Sequence, residues 1–112
     1  MNVYHGDWAE DGLEGMLQDF GSYSHPLTLD PGVEVLYAWY EYADSGDAFV
    51  LFRKDGKLYE VHGSHCSCYG LEGQWDPEET TAAALLARPH ITGWDAEESD
   101  QTKAIKALVA GL

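Results

Sequence analysis

Positive charge is what this chain has least of. Six Lys and Arg stand against twenty Asp and Glu, a formal net charge of −14. Such a surface repels the phosphates of nucleic acids and membranes, which excludes direct binding to either, and attracts basic partners, including proteins whose own ligand is DNA or RNA. The scarcity is uneven. Residues 1–47 hold ten acids and no Lys or Arg, and residues 72–100 hold eight acids with Arg88 alone; residues 48–71 carry three bases and two acids, and the last twelve carry only Lys103 and Lys106. Long apolar runs are missing too. Nothing reaches about 18 consecutive apolar residues, and no basic segment leads into an apolar one at the N-terminus, so neither a membrane span nor secretion is expected and the cytoplasm is the expected location. Cysteine is confined to Cys66 and Cys68. One residue apart, they are too close for an ordinary structural disulfide, and in a reducing compartment they are thiols or metal ligands.

Aromatic and apolar material, by contrast, is plentiful. Four Trp, seven Tyr and three Phe in a chain that is 45% hydrophobic argue against a disordered acidic polypeptide. The 112 residues fit one domain with one core, residues 1–112 as a single α+β unit.

The strongest local signal is a hairpin. Two β-rich runs, Ala48–Arg53 and Leu58–His62, flank Lys54-Asp55-Gly56-Lys57, and Asp-Gly suits a type I′ turn, which needs φ > 0 at both central positions. Lys54 then faces Lys57, and counting outward pairs Arg53 with Leu58, Phe52 with Tyr59, Leu51 with Glu60, Val50 with Val61 and Phe49 with His62. One face is apolar (Val50, Phe52, Tyr59, Val61); the other mixes Phe49 and Leu51 with Glu60 and His62. Upstream, Val33–Ala43 reads as a long strand with large side chains on both faces, Val33, Val35, Tyr37 and Trp39 on one and Leu36, Ala38, Tyr40 and Tyr42 on the other. That pattern calls for cover on both sides or one exposed aromatic face. A turn at 44–47 makes these runs a three-stranded antiparallel meander.

Helices are expected around it. Asp7-Trp8-Ala9-Glu10 reads as a capping box opening a short helix, with Trp8, Leu13, Met16, Leu17 and Phe20 near one face and Gly21 as its stop, although Gly12 and Gly15 weaken the pattern. Ser22–Gly32 and Tyr69–Trp75 read as loops. Asp76-Pro77-Glu78-Glu79 carries a second helix start, running through Leu86 to end before Pro89, and Asp95 with Glu98 opens a third whose stripe is Ile105, Leu108, Val109 and Leu112. The expected architecture is therefore an N-terminal helix, the meander and two C-terminal helices, all covering one sheet face. Its expected core is Trp8, Met16, Phe20, Val35, Tyr37, Val50, Phe52, Tyr59, Val61, Leu85, Leu86, Ile105 and Leu108.

The acids suggest a mode of action. Asp7, Glu10, Asp11 and Glu14 lie three or four apart, so that their carboxylates on a helix sit about 5–6 Å from one another, near the spacing of successive phosphates. With Glu78 and Glu79 on the same side they would form a negative strip, with Tyr40, Tyr42, Tyr69 and Trp75 as aromatic anchors beside it. A solvated helix face is the plain alternative. No metal or other cofactor is required by this reading. Zinc enters through a second one: His62, His65, Cys66 and Cys68 are all zinc-ligand types. Four ligands in seven residues cannot easily close one tetrahedron, so two or three would need His5, His25 or His90 to join them, and half-buried thiols acting as small hydrophobes are the competing account. A cysteine nucleophile would need His62 or His90 brought to a thiol by the fold, since neighbours such as His65 and Cys66 point apart on an extended chain.

The segment His62–Thr81, with its HCSCYGLEGQW core, resembles one found in small acidic proteins encoded by bacteriophages and their hosts, a group that is uncharacterised. The resemblance spans about a fifth of the chain and carries no catalytic residue or ligand with it. What it implies is context: small acidic phage-borne proteins often counter host defence by occupying a protein's nucleic-acid groove. The expectation is a non-enzymatic acidic inhibitor of a basic, nucleic-acid-binding host protein, with a zinc-binding accessory protein or a small cysteine enzyme as alternatives.

Overall fold

A computed structural model describes residues 3–22, 24–41, 45–66, 70–92 and 100–112, with backbone alone at 45, 65 and 66. The elements run β1 (Tyr4–Gly6), α1 (Trp8–Phe20), β2 (Glu34–Tyr40), β3 (Ser45–Lys54), β4 (Lys57–Cys66), β5 (Glu78–Thr80), α2 (Ala82–Ala87) and α3 (Asp100–Ala110).

The hairpin forms as its turn demands. Asp55 and Gly56 take φ of 54° and 76°, and β3 pairs with β4 in the expected register, from Lys54 opposite Lys57 to Phe49 opposite His62. The three-stranded antiparallel meander, however, is wrong. The sheet has five strands in the order β1-β2-β3-β4-β5, and β1 runs parallel to β2. Each added strand is only three residues long, too short for side-chain alternation to register in the sequence. β5 also corrects the expected start of the second helix. Glu78–Thr80 are extended along Leu58–Glu60, and α2 begins at Ala82, where the Thr81 hydroxyl accepts from the Ala84 amide at 3.1 Å. Within a helix of six residues only Leu85 reaches the core, which leaves Leu86 exposed, contrary to expectation.

Helices cover both faces of the sheet and not one. Trp8, Met16 and Phe20 of α1 pack on Ala38, Tyr40, Ala48, Val50, Phe52 and Val61, while Leu85, Ile105 and Val109 of α2 and α3 pack on Tyr37, Trp39, Phe49 and Leu51. The two-sided apolar pattern of β2 is the consequence. A bulge at Leu36 separates the pairs Val35/Phe52 and Tyr37/Leu51, so Val35 joins the α1 side while Leu36 and Tyr37 both join the other. Strict alternation had placed Val35 and Tyr37 together. On the α2 and α3 side, buried Thr102 ties α3 to the preceding loop: its hydroxyl accepts from the amides of Ile91 and Thr92, both at 3.0 Å, and donates to the Thr92 carbonyl at 3.2 Å.

α1 is two helical pieces joined at Gly12, whose φ of 59° and ψ of −139° lie where side-chain-bearing residues scarcely go. The expected capping box does not form. Asp7 is itself in the right-handed helical region and makes no side-chain cap; its amide instead donates to the Tyr40 carbonyl at 2.7 Å, tying the helix start to β2.

Candidate functional site

Fold and charge together segregate the ionic groups. Arg53 bonds Glu34 through both carboxylate oxygens at 3.0 and 3.1 Å, Lys54 pairs with Asp30 at 3.3 Å and Lys57 with Glu79 at 3.4 Å. Arg88 is committed to Glu60. The cations of residues 48–92 are thus spent around β3, β4 and β5. On α1, Glu10, Asp11 and Glu14 are exposed, and no cation lies within ion-pair distance of them among the described residues. Leu13, 43% exposed, sits in the middle of this run.

Asp19, which helical spacing places with the other α1 acids, shares its region with Glu72, which spacing along the helix could not disclose. Asp19 accepts from the Trp8 indole N–H at 2.7 Å, and its carboxyl titrates above the ordinary value, first because of burial and then because Asp7, Asp11 and Glu72 lie close enough to repel its charge. Glu72 comes from the loop after β4, so two distant segments share one negative field.

The other half of the expected strip needs correction. Glu78 and Glu79 lie on β5, where neighbours point to opposite faces: Glu78 stands opposite Glu60, on the α2 side near Arg88, and Glu79 opposite Tyr59 on the α1 side, bound to Lys57. They do not continue the α1 acids. Tyr40 is buried in the α1-side core at 5% exposure and is no anchor, while Tyr42 and Tyr69 lie outside the described residues. Trp75 is half-buried, stacked on Phe52 at 5.7 Å and edge-on to Phe20 at 5.1 Å.

The His/Cys segment turns out to be built around structural constraints. A Cβ at Gly63 would stand 2.9 Å from a Leu71 methyl, so any side chain there would require Leu71 to shift. Gln74 then fastens the returning loop. Its Oε1 accepts from the Ser64 amide at 2.8 Å, and its Nε2 donates to the carbonyls of Ser64 at 2.8 Å and Gly70 at 2.7 Å, so a side chain pairs with the β4 edge as a strand would. Leu71 is buried, Trp75 stacks on the sheet and Glu78–Thr80 pair with β4. His62 directs Nε2 to Glu60 at 2.7 Å. His65 and Cys66 continue the backbone of β4, and Cys68 lies outside the described residues. Among the described residues no three His, Cys, Asp or Glu side chains converge as a metal site.

One titratable cluster escaped the sequence reading. Glu60 is only 3% exposed, yet Arg88 grips it bidentately and His62 bonds the same carboxylate. Burial alone would raise its pKa, but the hydrogen bonds from His62 and Arg88 and the Arg88 charge outweigh that and bring it down to about 2. His62, Arg88 and His90 line a cleft of about 510 Å³ above it. The signal available in the sequence was a Glu placed opposite Leu51 on an otherwise apolar stretch, which demands a cation partner.

No protein-family model, curated protein or solved structure matches this chain. No helix among the described residues is long and apolar enough to cross a membrane.

Proposed function

We propose that this chain is a non-enzymatic acidic protein that binds a basic, nucleic-acid-binding partner by offering carboxylates where that partner receives phosphates. The observation that carries the reading is the acidic face of α1: Glu10, Asp11 and Glu14 are exposed with no cation at ion-pair distance among the described residues, and Asp7 and Asp11 share the field at Asp19 with Glu72 of a distant loop. A merely solvated helix face commonly intersperses Lys or Arg at i, i+4 from its acids, and residues 1–47 contain neither. Leu13 supplies the apolar contact that charge lacks, since charge mainly sets encounter rate and orientation. The resemblance of residues 62–81 to small acidic phage-borne proteins makes a host nucleic-acid-binding defence complex the partner of choice, and the protein its inhibitor.

The test is capture from a bacterial host lysate on the immobilised chain, followed by mass spectrometry. Nucleic-acid-binding proteins should be enriched, eluted by salt, displaced by double-stranded DNA, and lost when Glu10, Asp11, Glu14 and Glu72 are all changed to Lys. Retention of the same proteins by that variant, with unchanged salt dependence, would overturn the reading.

A further inference from the structure

On the α1 side of the sheet lies a second feature that the acidic face does not use, a cleft of about 360 Å³. Three aromatic rings wall it. Phe52 is stacked with Tyr59 at 5.2 Å and 17° and with Trp75 at 5.7 Å and 13°; Phe52 itself is buried, so the rings left partly open to a ligand are those of Tyr59 and Trp75. Asp30, its side chain 77% exposed, and Lys54 line the same cleft and pair with each other at 3.3 Å. The edge of Phe20 against Trp75 connects the cleft to the end of α1, one residue from Asp19.

We propose that this cleft receives an arginine side chain of the partner, its guanidinium stacked on Tyr59 or Trp75 and its N–H groups on Asp30. The inference rests on the partner being basic, as proposed above. Stacked aromatic walls accept three kinds of planar or stiff group: a nucleobase, a proline-rich strand or a guanidinium. A nucleobase arrives with phosphates, which a chain of net charge −14 repels. Between the other two, charge decides. An exposed carboxylate beside aromatic faces is complementary to a cation, and arginine, unlike lysine, can stack while bonding the carboxylate with two parallel N–H groups. Lys54 occupies Asp30 through a single contact in the free protein, so the incoming guanidinium displaces it.

This exchange fixes the sign of a test that a simple apolar groove would not pass. The chain, uniformly labelled with ¹⁵N so that backbone amides and tryptophan indoles are both seen, is titrated at low salt with a blocked hexa-arginine peptide, with hexalysine and proline decapeptide as comparisons; Trp39, 7% exposed in the core on the opposite face of the sheet, is the internal reference. Hexa-arginine should shift the Trp75 indole and leave that of Trp39 in place, binding more tightly than hexalysine by about 2- to 30-fold, the range a cation–π contact spans. Asp30→Asn and Tyr59→Leu should each weaken it, and Lys54→Met should strengthen it about 3-fold or more by freeing Asp30 and removing a like charge. If hexa-arginine binds but perturbs only the amides of residues 10–14, with Lys54→Met giving no gain, the cleft assignment fails while the acidic-face reading survives. If it does not bind at all, both fail. A proline decapeptide that moves Trp75 as strongly as arginine would overturn the choice of occupant.

Discussion

Arg88, the residue that ends α2, closes a bidentate ion pair onto Glu60 in the middle of β4, with Nη2 to Oε2 at 2.8 Å, and so clamps the α2 layer to the sheet through a carboxylate that is almost fully buried. A pKa lowered from 4.5 to about 2 corresponds to about 3 kcal/mol of stability at neutral pH. Because the folded value is the depressed one, this contribution is complete above the unfolded pKa and is lost as pH falls from about 4.5 towards 2. Arg88→Met should cost about 3–5 kcal/mol at pH 7, since it strands a buried charge, and the gap from the parent should narrow over that acid window. Urea unfolding at pH 7, 4.5 and 3 measures both. A gap that stays constant with pH would mean that the pair contributes nothing through ionisation.

Asp19 should behave in the opposite sense. Its carboxyl titrates above the usual value because burial and the neighbouring Asp7, Asp11 and Glu72 disfavour its charge, so the ionised form opposes folding and the protein gains as pH falls through that group's range. Asp19→Asn keeps an oxygen to accept the Trp8 indole while removing the charge. The variant should be more stable than the parent at pH 7, with the advantage vanishing once Asp19 is protonated. Thermal melts at pH 7 and pH 3 decide it, and a variant that is less stable at pH 7 would mean that the charge on the Trp8 hydrogen bond matters more than the surrounding repulsion.

Much of the β3–β4 half of the fold was legible because Asp55-Gly56 fixes a turn, and a turn fixes the register of the six pairs from Lys54/Lys57 to Phe49/His62; Ser45–Asp47, expected within a turn, instead continue β3 opposite Ser64–Cys66. Face assignment survived there and failed in β2, where one extra residue at Leu36 exchanges sides without altering composition. β1 and β5 were illegible for a different reason. Three residues carry no period, and the acids of Glu78 and Glu79, which look like a helix start, become extended because the long β4 leaves an edge to be paired. Of the candidate site, the exposed acids of α1 could be read from spacing. The joining of Asp19 with Glu72 could not, because it depends on how the loop after β4 folds back over α1.

Gly12 offers a case in which two local rules give opposite signs. Helix propensity alone says that Gly12→Ala should stabilise α1 by about 1 kcal/mol. The observed φ of 59° with ψ of −139° says that Ala is strained there, at a cost of about 1–3 kcal/mol. Crowding is not the issue, since the nearest atom to an added Cβ, on Tyr4, is 3.8 Å away. Net destabilisation in chemical denaturation is therefore the expected outcome, and stabilisation would show that the kink is not required in solution.

Thr102 uses every hydrogen-bonding capacity of its hydroxyl on the backbone of residues 91 and 92. Thr102→Val preserves shape and removes the three hydrogen bonds that the hydroxyl makes to the Ile91 amide and to the Thr92 amide and carbonyl. The expected loss is about 2–4 kcal/mol. Thr102→Ser, which keeps the hydroxyl, should lose clearly less, and equal losses for the two variants would assign the effect to packing of the methyl group.

The exposed face of α1 separates into groups that should act on different rate constants. Glu10, Asp11 and Glu14 have no cation partner among the described residues, so they project a field that speeds encounter with a basic protein and fades with ionic strength. Leu13 projects nothing, and its role begins only after contact, when its exposed surface is removed from water. With the protein captured from lysate as analyte, changing the three acids to their amides should lower the association rate and flatten its salt dependence, with dissociation little altered. Leu13→Ala should do the reverse, leaving association near the parent value and raising dissociation about 10-fold, as expected for an apolar anchor at the centre of a contact. Neither change should move folding stability by more than about 0.5 kcal/mol, because none of the four side chains is buried. If Leu13→Ala leaves dissociation unchanged, the anchor lies elsewhere on this side of the sheet. The aromatic cleft beside Trp75, joined to the end of α1 through Phe20, is then the place where the partner is held, with the α1 carboxylates acting in approach alone.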